Sequence, residues 1–279
     1  MMKKVKKDRS LLLIFVRYSF IMILSVEWER RSFVGQIIAV VSGKGGTGKT
    51  SLCAGIATAL VQAGEHVLCI DCDVGLRNLD ISLGLSQLDA LSFLEVCRGE
   101  YDICHALPHP DFPELFFLTA PVNCRPGEIR SDAFCAMLRS ARRHFDYIFL
   151  DAPAGVDGVL PMIAAAADRV ILVTGADPAA VRDAGRMGQV LELQGKDNIR
   201  LIVNRVKPKM IASMELTVDD VMDDAGLPLL GVVPEDENVT LAAAFGKPLL
   251  HYSRRGGAAQ ACRRIAKRIQ GMHVPLPNK

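Results

Sequence analysis

The chain has 279 residues, half of them hydrophobic, enough to bury a sizeable core in one or two domains. With 6% aromatics, 23 glycines and 14 prolines, its composition excludes a disordered, collagenous or coiled-coil protein. Residues 1–34 carry +5 and residues 251–279 carry +7 within an overall +2, so the body between them carries −10; that argues against a domain that wraps nucleic acid and marks the ends as surfaces for an anionic partner.

In chain order, Lys3, Lys4, Lys6, Lys7 and Arg9 precede an apolar run of 16 residues, 11–26. As a helix that run would be about 24 Å long, short of the roughly 30 Å hydrocarbon core of a bilayer. Arg17 inside it would cost on the order of 2.5–3.5 kcal/mol at mid-bilayer. No small-x-small cleavage site follows, as a secretory signal would require. Residues 1–34 are therefore expected to be a mobile extension, with a membrane-surface segment and a signal as the weaker alternatives.

From residue 36 onward, short β-rich runs alternate with helical patterns. Strands are predicted over 37–42, 67–71, 115–119, 147–151, 170–174, 199–204 and 229–233. Helices are predicted over 49–63, 90–97, 131–143, 159–167, 178–193, 217–224, 239–245 and 258–270. This alternation predicts a three-layer α/β domain over 35–274 with a doubly wound, mostly parallel sheet, followed by a short tail, 275–279. The eight cysteines lie mostly inside apolar runs. Cys69 and Cys72 form a C-x-x-C, but on a strand their thiols face opposite sides, so ordinary buried thiols in a reducing cytoplasm are expected.

Gly43-Lys44-Gly45-Gly46-Thr47-Gly48-Lys49-Thr50 matches G-x-x-x-x-G-K-[ST] between a predicted strand and a predicted helix, and Ser51 opens that helix. Glycines let backbone amides converge on phosphate oxygens without Cβ obstruction, and the helix start adds positive potential. ATP and Mg²⁺ are thus the expected cofactors, with Lys49 bridging the β- and γ-phosphates and the Thr50 hydroxyl on the metal. Asp151 ends a predicted buried strand, a costly place for a carboxylate unless it faces a cation, which makes it a candidate acid for the Mg²⁺ site. Asp71 and Asp73 end another strand, where ligands of open α/β sheets bind. Asn204 also ends a strand, where a plain turn former would serve as well.

Lys44, one position after the first glycine, is not demanded by an ordinary phosphate loop. SGKGG-x-GKT resembles the deviant Walker A loop of the MinD/ParA family of ATPases, and Asp71-Cys72-Asp73-Val74-Gly75-Leu76-Arg77-Asn78-Leu79-Asp80 resembles the first switch of its MinD-type septum site-determining members. The resemblance runs from about residue 36 to 276 and implies a P-loop NTPase fold. It implies that Lys44 reaches across a dimer interface to the partner's nucleotide. It further implies that Asp71 helps hold the Mg²⁺ water shell, that Asp73 orients the attacking water and that Asn78 senses the γ-phosphate. Gly155, in Asp151-Ala152-Pro153-Ala154-Gly155, would offer an amide near that phosphate. Asn204-Arg205 would read adenine, and Pro234-Glu235-Asp236 would close over the base. Val181-Arg182-Asp183 matches a stretch near the family's dimer face.

The function so implied is an ATP-hydrolysing dimerisation switch for bacterial division-site placement, a homodimer with ATP that meets division-inhibitor and topological-specificity proteins. The expected location is cytoplasmic, peripheral at the inner face of the membrane. The chain stops at residues 275–279, where a linker to the usual C-terminal amphipathic helix would begin, so that helix is expected to be missing. The basic face of the helix predicted over 258–270 is then the candidate for contact with an anionic membrane surface. Nucleic acid is the disfavoured partner, and the alternatives are a positioning ATPase bound to DNA or flagellar machinery and a metal-trafficking scaffold. Cys124 stands alone in its loop and the second switch has no cysteine, which disfavours an iron–sulfur member; Tyr252 alone in the tail disfavours a tyrosine-kinase member.

Overall fold

A computed structural model describes residues 34–124, 127–156, 158–207 and 218–276. The reading of residues 1–33, and the last positions of the tail, lie outside the described residues. Residues Gly35–Lys279 form one unit by their contacts. Its centre is made by the most apolar β-branched runs: β1 (Gln36–Val41), β2 (Val67–Asp71), β5 (Tyr147–Asp151) and β6 (Arg169–Thr174), buried nearly throughout. Runs without polar alternation need cover on both faces, the condition of a central parallel strand. Around them lie β3 (Leu107–His109), β4 (Phe112–Leu118), β7 (Ile199–Val206) and β8 (Leu229–Pro234).

The sheet order is β3-β4-β2-β5-β1-β6-β7-β8, parallel except for the β3–β4 pair. From β1 the chain winds outward to β2 and β4, returns to β5 on one side of β1, and continues through β6, β7 and β8 on the other. The strand order therefore reverses beside β1, and the crevice beyond its C-terminal end is where such a sheet places a ligand.

Helix α1 (Lys49–Gln62) is the main cover on one face, with ten of its fourteen residues buried. Its small residues admit close packing. A Cβ on Gly55 would come 2.8 Å from Cys262 Sγ, so the closing helix can lie directly on α1 only because that position is glycine. Among the described residues the other α-helices, in chain order, are α2 (Leu79–Leu83), α3 (Phe93–Cys97), α4 (Ser131–Ala141), α5 (Leu160–Ala166), α6 (Pro178–Leu193), α7 (Val218–Ala225), α8 (Glu237–Ala244), α9 (Leu249–Tyr252) and the closing α10 (Gly257–Ile269). Among the described residues, no helix is long and apolar enough to cross a membrane.

The differences from the sequence reading have local causes. Strand β3, α2 and α9 are only three to five residues long, too short to show a period. Helix α3 starts at Phe93 rather than at residue 90 because Ser92 and Glu95 form a reciprocal capping box. Strand β4 starts at Phe112 because it forms a hairpin with β3. Strand β7 does not stop at Asn204; it runs to Val206, with a register irregularity against β8 and Arg205 at φ 57°. None of the eight cysteines is in a disulfide, and Cys53, Cys69, Cys72 and Cys262 are buried.

Candidate active site

The loop between β1 and α1 lies at the crevice beside β1. Gly46 and Gly48 have φ of 78° and 84°, the left-handed region in which a side chain would be strained. Gly43 lets the loop lie against α6, since a Cβ there would sit 3.0 Å from the Asp183 carbonyl oxygen. Gly48 caps α1 with no side-chain hydrogen bond, so the first amides of α1 have no capping acceptor from a side chain. Thr47 Oγ1 is buried without a hydrogen-bond partner. An orphaned hydroxyl, uncapped amides and an open glycine cradle fit an anion such as a phosphate chain.

Lys49 is buried, and its Nζ donates to Asp151 Oδ1 at 2.8 Å and to Thr50 Oγ1 at 3.4 Å. Asp151 ends β5 in register with Asp71 at the end of β2. Burial pushes the Asp151 carboxyl up, with the Lys49 charge opposing it. Burial, followed by the Asp151 charge, lifts Asp71 to about 6, against the pull of its amide hydrogen bonds. Lys49 is paired with Asp151, while Asp71 beside it has amide donors but no paired cation, so two buried carboxylates stand next to one lysine and the pocket offers oxygen donors with excess negative charge. That is the chemistry of a Mg²⁺ site, which typically takes one or two carboxylates and completes itself with phosphate and water. Among the described residues no three His, Cys, Asp or Glu side chains converge as an all-protein metal cage.

Asp71 does more than present charge. Its Oδ1 accepts from the Asp73 amide at 2.9 Å and its Oδ2 from the Leu79 amide at 3.1 Å, so it shapes the whole loop between β2 and α2. Within that loop Asp73 is half-buried, Leu76 and Asn78 are exposed, and Arg77 takes φ 47° with its Nε donating to Thr119 Oγ1 at 3.0 Å. Lys44 is half-exposed, and its Nζ lies 3.4 Å from Asp183 Oδ2 on α6.

A cavity of about 1150 Å³ opens beside the loop, lined by Gly46, Gly48, Ser51, Asn204, Pro234 and Asp236 among others. Asp236 caps α8: its Oδ1 accepts from the Asn238 amide at 3.0 Å, and its Oδ2 from the Ala258 amide of α10, also at 3.0 Å. Burial alone would raise this carboxyl, but hydrogen bonds from Ala258, Asn238 and Gly257 hold it below the usual range.

Residues 38–249 match the model of the CobQ/CobB/MinD/ParA nucleotide binding domain. The chain is 35% identical to the septum site-determining protein MinD of Synechocystis over 245 residues, 87% of this chain and 92% of the relative. It is 36% identical to the MinD of Thermotoga maritima over 251 residues, 88% and 92% of the two chains. Its fold superposes on the MinC:MinD cell division protein complex of Aquifex aeolicus with a TM-score of 0.80 at 31% identity, covering 88% of this chain and 99% of that one. The MinD of Pyrococcus horikoshii complexed with Mg-ADP gives 0.74 at 27% identity, covering 84% and 96%.

The chain belongs to the MinD/ParA family of nucleotide-binding ATPases.

Within this family site the structure brings together Lys49, Thr50, Asp71, Asp73 and Asp151, five residues from three separate segments. At three further expected positions the groups have partners within the chain. Asn204, expected at the base, borders the cavity but donates its Nδ2 to the Thr47 carbonyl at 2.7 Å, bracing the phosphate loop; a Cβ on Gly48 would overlap that same nitrogen. The Gly155 amide, expected toward the γ-phosphate, donates to the Ser42 carbonyl at 3.1 Å, because a left-handed turn at φ 93° points it back at β1. Asp236, expected to close over the base, spends both oxygens on helix starts, leaving Pro234 as the flat apolar wall of that loop.

Sequence reasoning missed Thr119, Val239, Thr240 and Lys207, which anchor the switch or line the cavity. No motif marks them; a strand-end position facing the loop was the available signal for Thr119 alone.

Proposed function

We propose that the chain is an ATP- and Mg²⁺-dependent hydrolase that acts as a dimerisation switch in division-site placement. The observation that carries this reading is the glycine loop at the reversal point of the sheet, with a buried lysine at its end paired to Asp151 and a nucleotide-sized cavity bordered by Gly46 and Gly48 of the loop. Lys49 would move between Asp151 and phosphate oxygens, a charge-assisted exchange in which each partner is an oxyanion. When bound, Mg²⁺ supplies neutralisation of phosphate charge; the Thr50 hydroxyl, Asp71 and Asp151 would hold it. Asp73, which follows Asp71 on the same loop, is the carboxylate available to orient water and accept its proton. Catalysis of this kind is mostly positioning and charge stabilisation, so a slow intrinsic rate raised by a partner is expected.

In this reading Lys44 leaves Asp183 and reaches the nucleotide of a second subunit, while the exposed switch residues Leu76 and Asn78 report the phosphate state to partners. A division inhibitor is the first of these, supported by the likeness to the MinD that stands in the MinC:MinD cell division protein complex of Aquifex aeolicus. We place the switch in the cytoplasm at an anionic membrane surface, supported by the exposed or half-exposed basic residues Arg263, Arg264 and Lys267 on α10.

The test is ATP turnover and light scattering of the full chain with ATP and with ADP. The expected result is dimerisation with ATP only, lost in Lys44→Ala while nucleotide still binds, and turnover abolished in Asp73→Asn. Unchanged scattering in every nucleotide state, or an ATP-dependent dimer that survives Lys44→Ala, overturns the switch.

A further inference from the structure

Three charged side chains meet at the rim of the nucleotide cavity: Arg205 and Glu235, expected beside the base, and Lys207. Glu235, on the turn from β8 to α8, faces two cations at once. Arg205 NH2 lies 3.1 Å from its Oε1 and Lys207 Nζ lies 2.8 Å from its Oε2. The other end of the Arg205 guanidinium reaches back to the phosphate loop, NH1 to the Gly46 carbonyl at 3.4 Å. The chain of contacts Gly46–Arg205–Glu235–Lys207 therefore runs from the phosphate loop to the base loop, and all four residues border the cavity.

We propose that this trio is a clasp that closes the mouth of the cavity and sets the rate at which nucleotide leaves. The inference rests on the nucleotide reading above and adds to it the control of exchange. Two observations favour a clasp over a chance surface pairing. Arg205 holds a left-handed backbone, φ 57°, which a side chain keeps only where its surroundings hold it, and that turn is what aims its guanidinium at both loops. The base loop is also fastened unequally. On its helix side Asp236 accepts amides of both α8 and α10; on its strand side, among the described residues, Pro234 pairs with Val206 at the end of the sheet, the Glu235 amide donates to the Val206 carbonyl at 3.0 Å, and beyond that point only the clasp is seen. Movement of the loop would thus pivot on Asp236 and break the ion pairs first. The three side chains are partly exposed, at 60%, 31% and 59% for Arg205, Glu235 and Lys207, so water and salt reach them.

Exposed pairs are individually weak, so each lost pair should speed dissociation by about two- to fivefold. Glu235→Gln, which loses both, should speed it by about three- to tenfold. The experiment is stopped-flow release of fluorescent mant-ADP from the full chain, in wild type, Glu235→Gln, Lys207→Met and Lys207→Arg, at low and high salt. The expected result is faster release in Glu235→Gln and Lys207→Met, near-wild-type release in Lys207→Arg, and a rise with salt that is steeper in wild type than in Glu235→Gln. Association rates should change less than dissociation rates. Equal release rates in wild type and Glu235→Gln, or a salt dependence just as steep without the carboxylate, overturn the clasp while leaving nucleotide binding intact. A wild-type chain that takes up no mant-ADP overturns the nucleotide reading, and the clasp falls with it.

Discussion

Replacing Lys49 by Met separates what the lysine does for the fold from what it does for phosphate. Lys49 is 7% and Asp151 1% exposed, and their charges are 2.8 Å apart. At an effective dielectric of about 20, attraction across that distance is about 6 kcal/mol, part of which is spent desolvating both groups. Methionine fills the same space and leaves Asp151 buried without its cation and beside Asp71. Breaking a buried pair from one side costs about 3–5 kcal/mol. The deficit should depend on pH, with a definite sign. The Asp151 carboxyl is already raised in the fold and rises further without Lys49, so the folded variant binds more protons than its unfolded chain. Its stability therefore falls as pH rises through the range between the two values. Each pH unit in that range contributes up to about 1.4 kcal/mol. Urea unfolding at pH 7.5 and 5.5, without nucleotide, measures this. We expect a loss of about 3–5 kcal/mol at pH 7.5 that shrinks by more than about 1 kcal/mol at pH 5.5. Lys49→Met/Asp151→Asn should recover most of the loss, since neither charge remains. A deficit under about 1 kcal/mol, or one indifferent to pH and to the second substitution, would refute a buried pair as the source.

Two further outcomes follow from neighbouring groups. Asp71 is raised to about 6 from 3.8, so in wild type it should lower stability by about 3 kcal/mol as pH rises from about 4 to about 6. In Asp71→Asn that part of the urea-unfolding pH profile should flatten; an unaltered slope would place the titration elsewhere. Asp236→Ala should cost about 1–3 kcal/mol, since it uncaps α8 and frees the Ala258 amide of α10. Hydrogen exchange should then show loss of protection at Asn238 and Ala258, and retained protection at both would remove the double cap.

The nucleotide loop was legible because its requirements are local. Glycine at Gly46 and Gly48, lysine at Lys49 and threonine at Thr50 answer to backbone conformation and charge within eight residues, between a strand and a helix that their own apolar patterns announce. The parallel sheet was legible for the same reason: β1, β2, β5 and β6 are buried on both faces and read as unbroken apolar runs. The short elements β3, α2 and α9 were not legible, because a run of three to five residues shows no period and takes its conformation from its neighbours.

Side-chain partners across the chain depended on the tertiary structure. That Lys49 meets Asp151, 102 positions away, follows from β5 lying next to β1 rather than β2 doing so. That Asn204 braces Thr47, that Gly155 turns back to Ser42 and that Asp236 holds two helices could not be read from residue type, because each is a donor or acceptor whose partner is chosen by packing. Residue order determined which chemical groups lie at the ends of the strands; the winding of the sheet decided which of them share one buried, low-dielectric space, where their charges become strong enough to act on one another.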